Sequence, residues 1–128
     1  MYINGFTRES VMKQIRAKNL GYPAYNEGGE QCMYRAPDGN QCLVGCFIPD
    51  NLYEVDFEGT FAAVIYDKMS EKMPIVRPML QQLQEFHDKY ISEDNSAEIF
   101  FKDIENKLIE LEKQWEERRL TLMISTRI

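Results

Sequence analysis

The feature that most constrains the fold is the helical spacing of apolar residues in the C-terminal part of the chain. From residue 97 onward these residues recur at alternating intervals of four and three. The positions are Ala97, Phe100, Phe101, Ile104, Leu108, Leu111 and Trp115. This spacing predicts a long amphipathic helix over residues 97–119, capped by Asn95 or Ser96. The tail 120–128 has apolar residues at alternate positions, and we expect a last strand or a frayed end there.

Three further segments also favour helices. Thr7 is placed to cap a short N-terminal helix that ends before Gly21 and has Val11, Met12 and Ile15 on its apolar face. Pro78 is suited to the first turn of a helix that runs to about Ile91. One side of that helix carries Val76, Leu80, Leu83, His87 and Tyr90. Segment 59–69 mixes β-branched residues with two alanines, and we interpret it as a helix.

A turn signal lies between two short apolar segments at residues 32–46. CMYRA and QCLVG flank Pro37-Asp38-Gly39-Asn40, which predicts a β-hairpin. A three-residue loop at 38–40 collects the small apolar residues on one face and places Cys32 opposite Cys46. Alternatively, CLVGCFI leaves the hairpin early and begins a helical turn. The predicted class is therefore α+β: one mostly helical domain over 1–128, with a small hairpin at about 32–46 and a long C-terminal helix.

The charge balance bears on partners and location. With 128 residues the chain is long enough for one domain with a real core, and its net charge is −6. This acidity disfavours direct binding to nucleic acid, which requires clustered Lys and Arg. We expect no signal peptide, no membrane span and a cytosolic protein. The three cysteines are then expected to be free thiols.

The cysteines raise two chemical possibilities. Cys32, Cys42 and Cys46 could bind zinc with His87 as the fourth ligand, although only Cys42 and Cys46 have the spacing of a ligand pair. The alternative is that small thiols fill a tight corner. A Cys–His nucleophile would also depend on His87, and no oxyanion-hole motif accompanies it. We therefore predict neither an enzyme nor a cofactor, and zinc stays open as the metal of a zinc-stabilised interaction domain.

Two other patterns suggest protein partners. Asp50, Glu54, Asp56 and Glu58 are close in sequence, and Glu93-Asp94 adds a second acidic pair. These carboxylates could dock on an arginine-rich groove of another protein, or they could form an ordinary solvated face. The stripe of Ile104, Leu108, Leu111 and Trp115 could pair with a second copy as a homodimer, or it could pack on its own domain.

Residues 30–90 also carry a longer motif. It reads Cys32-x-Tyr34-Arg35-x-x-Asp38-Gly39-x-x-Cys42-x-Val44-Gly45-x-x-Ile48-Pro49-Asp50-x-x-Tyr53, with Glu58-Gly59 behind it and Leu80-x-x-Leu83-Gln84-x-x-His87-Asp88 further on. This motif resembles a family of small proteins encoded by bacteriophages and prophages that has no established activity. The resemblance implies a short helix, a hairpin and two or three further helices. The chain departs from the family pattern in its longer, charged C-terminal helix.

The resemblance changes the interpretation of the polar residues that match the motif. Arg35, Asp38, Asp50 and His87-Asp88 could then form one network that holds the hairpin to the helices, with Arg35 paired to Asp50 or Asp88. The same cluster could instead bind a small anionic ligand. A nucleotide signal would be sequestered through Arg35 and an aromatic residue, Tyr34 or Tyr53.

These observations lead to one expected function and two alternatives. The expectation is a non-enzymatic phage accessory protein that binds and inhibits a host protein machine, with a defence system such as a CRISPR effector as the target. The polar cluster and the acidic residues are the expected binding residues. They are Arg35, Asp38, Asp50, Tyr53, Glu54, Asp56, Glu58, His87 and Asp88. The alternatives are nucleotide sequestration and a zinc-stabilised interaction domain.

Overall fold

The computed structural model describes residues 1–29, 31–92 and 96–126, and of residue 126 it describes the backbone alone. The described chain is mostly helical. Its α-helices are α1 (Arg8–Lys18), α2 (Ala62–Lys68), α3 (Arg77–Asp88) and α4 (Ala97–Thr126). Two short 3₁₀ turns, Gly45–Phe47 and Val55–Phe57, lie between α1 and α2.

The predicted helices are confirmed at their N-terminal ends. Thr7 caps α1 by accepting a hydrogen bond from the backbone N–H of Ser10, and the Ser10 hydroxyl accepts one from the backbone N–H of Thr7. Pro78 lies in the first turn of α3, where no intrahelical N–H is needed. The helix interpretation of segment 59–69 is confirmed by α2. Helix α3 ends at Asp88, earlier than expected.

Helix α4 is longer than the sequence predicted. It has 30 residues and continues to Thr126, so the predicted end at residue 119 is wrong, as is the strand or frayed end expected over the described part of the tail. Of the two predicted caps, Asn95 lies outside the described residues. The carbonyl of Ser96 accepts from the N–H of Phe100 at 3.1 Å. Residues 116–125 are all exposed, so this end of α4 presents a helical surface to solvent.

The predicted β-hairpin at 32–46 is wrong, and with it the α+β class. No strand occurs in residues 1–29, 31–92 and 96–126, where the only pairings recorded are isolated bridges. Arg35 bridges Gln41, whereas Cys32 bridges Tyr25 instead of facing Cys46. The chain then turns helically, with the N–H of Cys46 donating to the carbonyl of Cys42 at 2.9 Å. The early helical turn considered as an alternative for CLVGCFI matches this structure.

Side chains replace the ladder partners that a hairpin would need. The N–H groups of Tyr34 and Arg35 donate to the Glu58 carboxylate, and the N–H of Val44 donates to Gln84 Oε1. Gly45 approaches the backbone of Tyr34 so closely that a β-carbon there would lie 2.2 Å from the Tyr34 carbonyl oxygen. Buried backbone donors need partners, and here the tertiary structure supplies them outside any sheet.

The core forms where α4 packs against α3 and α1. Ile104, Leu108 and Leu111 are fully buried there, and Trp115 packs partly against the same core. The first three side chains are therefore unavailable to a second copy, and the stripe packs on its own domain. Within the described residues, no helix is both long and apolar enough to span a bilayer.

Candidate functional site

Glu58 organises the corner around the motif. Its carboxylate accepts from the backbone N–H of Tyr34 at 2.9 Å, from that of Arg35 at 3.0 Å, and from the Tyr53 hydroxyl. Burial and the bond to Glu58 raise the pKa of Tyr53 to about 12. Glu58 was expected in an acidic display, but its side chain binds the chain's own backbone. The one sequence signal that set it apart from Glu54 and Asp56 was its place in the motif, where Glu58-Gly59 follows Tyr53.

Arg35 has a structural environment close to Glu58. Its Nη2 donates to Asp50 Oδ1 at 2.7 Å and to the carbonyl of Ile48 at 3.2 Å. The guanidinium also lies over the Tyr53 ring, 4.3 Å from the centroid. Of the two partners considered for Arg35, the structure shows Asp50. Arg35 therefore has a carboxylate, a carbonyl and an aromatic ring as partners within the chain.

His87 and Asp88 belong to a second cluster at the end of α3. His87 is fully buried, and its Nδ1 lies 2.8 Å from Asp88 Oδ1. The other ring nitrogen, Nε2, accepts from the N–H of Ala24 at 3.4 Å. The neutral Nδ1–H tautomer satisfies both contacts. Gln84 Nε2 donates to the same Asp88 oxygen at 2.7 Å, a role that the sequence reasoning missed.

The cysteines sit in environments that disfavour thiolates. Burial raises the pKa of Cys46 to about 12 and raises that of Cys42 as well. For Cys32, burial and the nearby Asp88 raise the pKa to about 12. Thiolates are the nucleophiles and the metal ligands of cysteine chemistry, so these environments oppose both uses. Among the described residues no group of three or more His, Cys, Asp and Glu side chains is arranged to hold a metal ion.

Asp38 serves a different part of the chain from Arg35. It accepts from the N–H of Asn40 at 2.9 Å and from the Tyr22 hydroxyl at 2.8 Å, and these bonds lower the pKa of its carboxyl. Asn40 is fully buried and donates to the carbonyl of Tyr22 at 2.8 Å. Asp38 and Asn40 therefore fix the turn onto the loop after α1. The sequence reasoning gave Asn40 only a turn role.

Segment 50–64 combines exposed carboxylates with exposed apolar side chains. Phe61 is 83% exposed and Val55 is 78% exposed, far beyond what packing on the core would leave. The acidic–apolar surface consists of the exposed residues Asp50, Leu52, Glu54, Val55, Asp56, Phe61 and Val64. Three of these were predicted from charge alone, and the exposed apolar members were missed. Glu93-Asp94, the second acidic pair, lies outside the described residues.

A cavity of about 440 Å³ is shared by residues of this surface and of the cluster at the end of α3. Its lining includes Cys32 and Tyr34, Gln84 and Asp88, and the exposed Phe61. Among the described residues, the lining includes a carboxylate and neither lysine nor arginine. Such a lining repels an anionic ligand.

Comparison with known proteins gives no relative from which to transfer a role. No family model matches the chain, and no curated protein or solved structure is significantly similar to it.

Proposed function

We propose that this protein is a non-enzymatic phage accessory protein that binds and inhibits a host protein machine, with a nucleic-acid-binding defence complex such as a CRISPR effector as the target. The phage setting comes from the resemblance of residues 30–90. The mode of action comes from the acidic–apolar surface.

The observation that carries the proposal is the exposure of Phe61 and Val55 in a segment that also carries exposed carboxylates. Protein interfaces place apolar or aromatic anchors at their centre and surround them with polar groups. Phe61 and Val55 are candidate anchors, and Glu54 and Asp56 flank Val55 in the chain. This arrangement favours a protein partner over a small ligand.

The charge of the surface specifies the chemistry of the partner. Asp50, Glu54 and Asp56 are all exposed, in a chain whose net charge is −6. Their complement is a surface rich in arginine or lysine with an apolar depression between the cations. A groove that holds nucleic acid has the required positive charge, and an acidic protein seated in it excludes the nucleic acid.

The environments of the polar residues support binding over chemistry. Both ring nitrogens of His87 are engaged within the chain, and burial holds the thiol pKa values high. In the part of the chain that the structure describes, a carboxylate and no cationic side chain lines the cavity beside Asp88, so nucleotide sequestration has less support than protein binding.

The test measures DNA cleavage by a panel of purified CRISPR effector complexes with increasing amounts of the protein. We expect inhibition of at least one complex and its co-purification with the tagged protein. The variant V55S/F61S should weaken that inhibition by at least about tenfold, because truncating a central interface aromatic costs roughly 2 kcal/mol. The charge variant E54K/D56K should weaken it most at low salt, where electrostatic attraction is strongest.

A matched control is available in Ile91, which is 92% exposed and lies outside the surface. I91S should inhibit like the unmodified protein. If no nuclease or nucleic-acid-binding complex is retained or inhibited, the proposal fails. Equal inhibition by V55S/F61S and I91S would show that another surface is responsible.

A further inference from the structure

A second stripe runs along α4 on the side away from the core. Its residues are spaced by three and four, as in the seam of a coiled coil. The outer stripe consists of Asn106, Ile109, Lys113, Glu116, Leu120 and Met123, and all six are exposed. Ile109, Leu120 and Met123 remain 42%, 48% and 43% exposed. The stripe is distinct from the buried one that contains Ile104, Leu108 and Leu111.

The outer stripe is complementary to its own reverse. When two copies of α4 run antiparallel about a two-fold axis between Lys113 and Glu116, Lys113 of each copy faces Glu116 of the other. On either side of this pair, Ile109 of one copy faces Leu120 of the other. At the ends, Met123 faces Asn106. Opposite charges therefore meet at the centre, and aliphatic side chains meet on both sides of it.

We propose that the protein forms a two-fold symmetric dimer in which the α4 helices of two copies pack antiparallel through the outer stripe. The interface is isologous, because each copy contributes the same six residues. The partner is thus a second copy of this chain, selected by the pairing of charges.

The shape of the surface supports this pairing. A groove of about 670 Å³ runs beside α4, and its lining includes Ile109, Lys113, Glu116 and Leu120. Met1 and Tyr2 also line this groove. The Leu120 side chain of a second copy, placed opposite Ile109, enters this groove and is removed from water.

The central charges set the register of the dimer. Among the described residues Lys113 has no carboxylate within the 4.0 Å ion-pair distance. Glu116 bonds Arg119 on its own helix through Oε1, and in the proposed dimer its Oε2 accepts from the lysine of the second copy. A polar layer within an apolar seam costs some stability but specifies the alignment of the helices. From 106 to 123 the stripe is about 27 Å long, so we expect a reversible dimer.

The test is sedimentation velocity over a series from about 1 to about 500 µM, a range suited to a small interface. We expect the mass to rise from 15.1 kDa toward twice that value with concentration. K113E and E116K each place like charges opposite one another at the centre. Each should shift the midpoint of dimerisation at least about tenfold upward.

The charge-swapped double variant K113E/E116K restores opposite charges, so it should dimerise near the original midpoint. L120E should be monomeric, whereas L122E, which alters an exposed leucine off the stripe, should dimerise normally. A monomer at every concentration would overturn the proposal. So would a dimer that K113E and E116K leave intact, or a double variant that does not recover.

Discussion

Replacing Glu58 by alanine is expected to destabilise the protein by about 3 kcal/mol. The substitution removes the acceptor of three hydrogen bonds: two from the backbone N–H groups of Tyr34 and Arg35, and one from the Tyr53 hydroxyl. A bond to a charged group contributes about 1.5–3 kcal/mol when buried. Glu58 is only half-buried, so water recovers part of each bond and about 1 kcal/mol per bond remains. For a chain of this length, the melting temperature should fall by roughly 10 °C.

Urea unfolding followed by circular dichroism at neutral pH measures this loss. Tyr53→Phe removes one of the three donors and should cost about 1 kcal/mol. Glu54→Ala is the matched control, because Glu54 is an exposed acid in the same segment and should change stability by less than about 0.5 kcal/mol. If Glu58→Ala and Glu54→Ala unfold at the same urea concentration, the Glu58 carboxylate does not stabilise the backbone N–H groups of Tyr34 and Arg35. The physical explanation of this corner would then be wrong.

Two other predictions concern backbone packing and the thiols. Gly45→Ala should lower the free energy of unfolding by more than about 2 kcal/mol, because the alanine β-carbon would lie 2.2 Å from the Tyr34 carbonyl oxygen. A urea midpoint equal to that of the unmodified protein would contradict this close approach. Burial raises the pKa of Cys46 from 9.0 to about 12. The thiol therefore loses its proton at lower pH in the unfolded protein than in the folded protein. The free energy of unfolding should fall as the pH rises through this range. The urea midpoint should therefore drop between pH 9 and 12, and the drop should be smaller in Cys46→Ala; an equal drop in both proteins would refute this assignment.

The helices were predicted well from the sequence because their signals are local. Thr7 and Ser10 close a capping box within a few residues, and Pro78 fits a helix start by its own ring geometry. In the C-terminal helix, the four-and-three spacing correctly identified the buried side chains from Phe100 to Leu111, whereas Ala97 is exposed and Trp115 is only partly buried. The end of that helix was predicted too early. Apolar residues at alternate positions in a short tail fit a strand, and they fit equally well a helix whose two faces are both exposed.

The candidate site was less accessible to sequence reasoning. The pairing of Arg35 with Asp50 is confirmed, but the roles of Glu58, Gln84 and Asn40 were not predicted. Each of these three side chains bonds to backbone 18 or more residues away. Nothing in the local sequence distinguishes a polar residue that will meet such a partner from one that stays in solvent.

Local sequence was enough to predict where the four α-helices begin, which helix faces are apolar, and that the protein is acidic, but not where α4 ends. Those properties depend on spacing, capping and composition, each of which acts within a few residues. Long-range contacts were needed to make residues 32–46 a corner without a β-ladder. The N–H groups of Tyr34, Arg35 and Val44 find carboxylate and amide oxygens brought by distant segments, and these bonds take the place of a paired strand. The turn signal at Asp38-Gly39 specifies a change of direction, and the long-range acceptors decide the path of the chain beyond it.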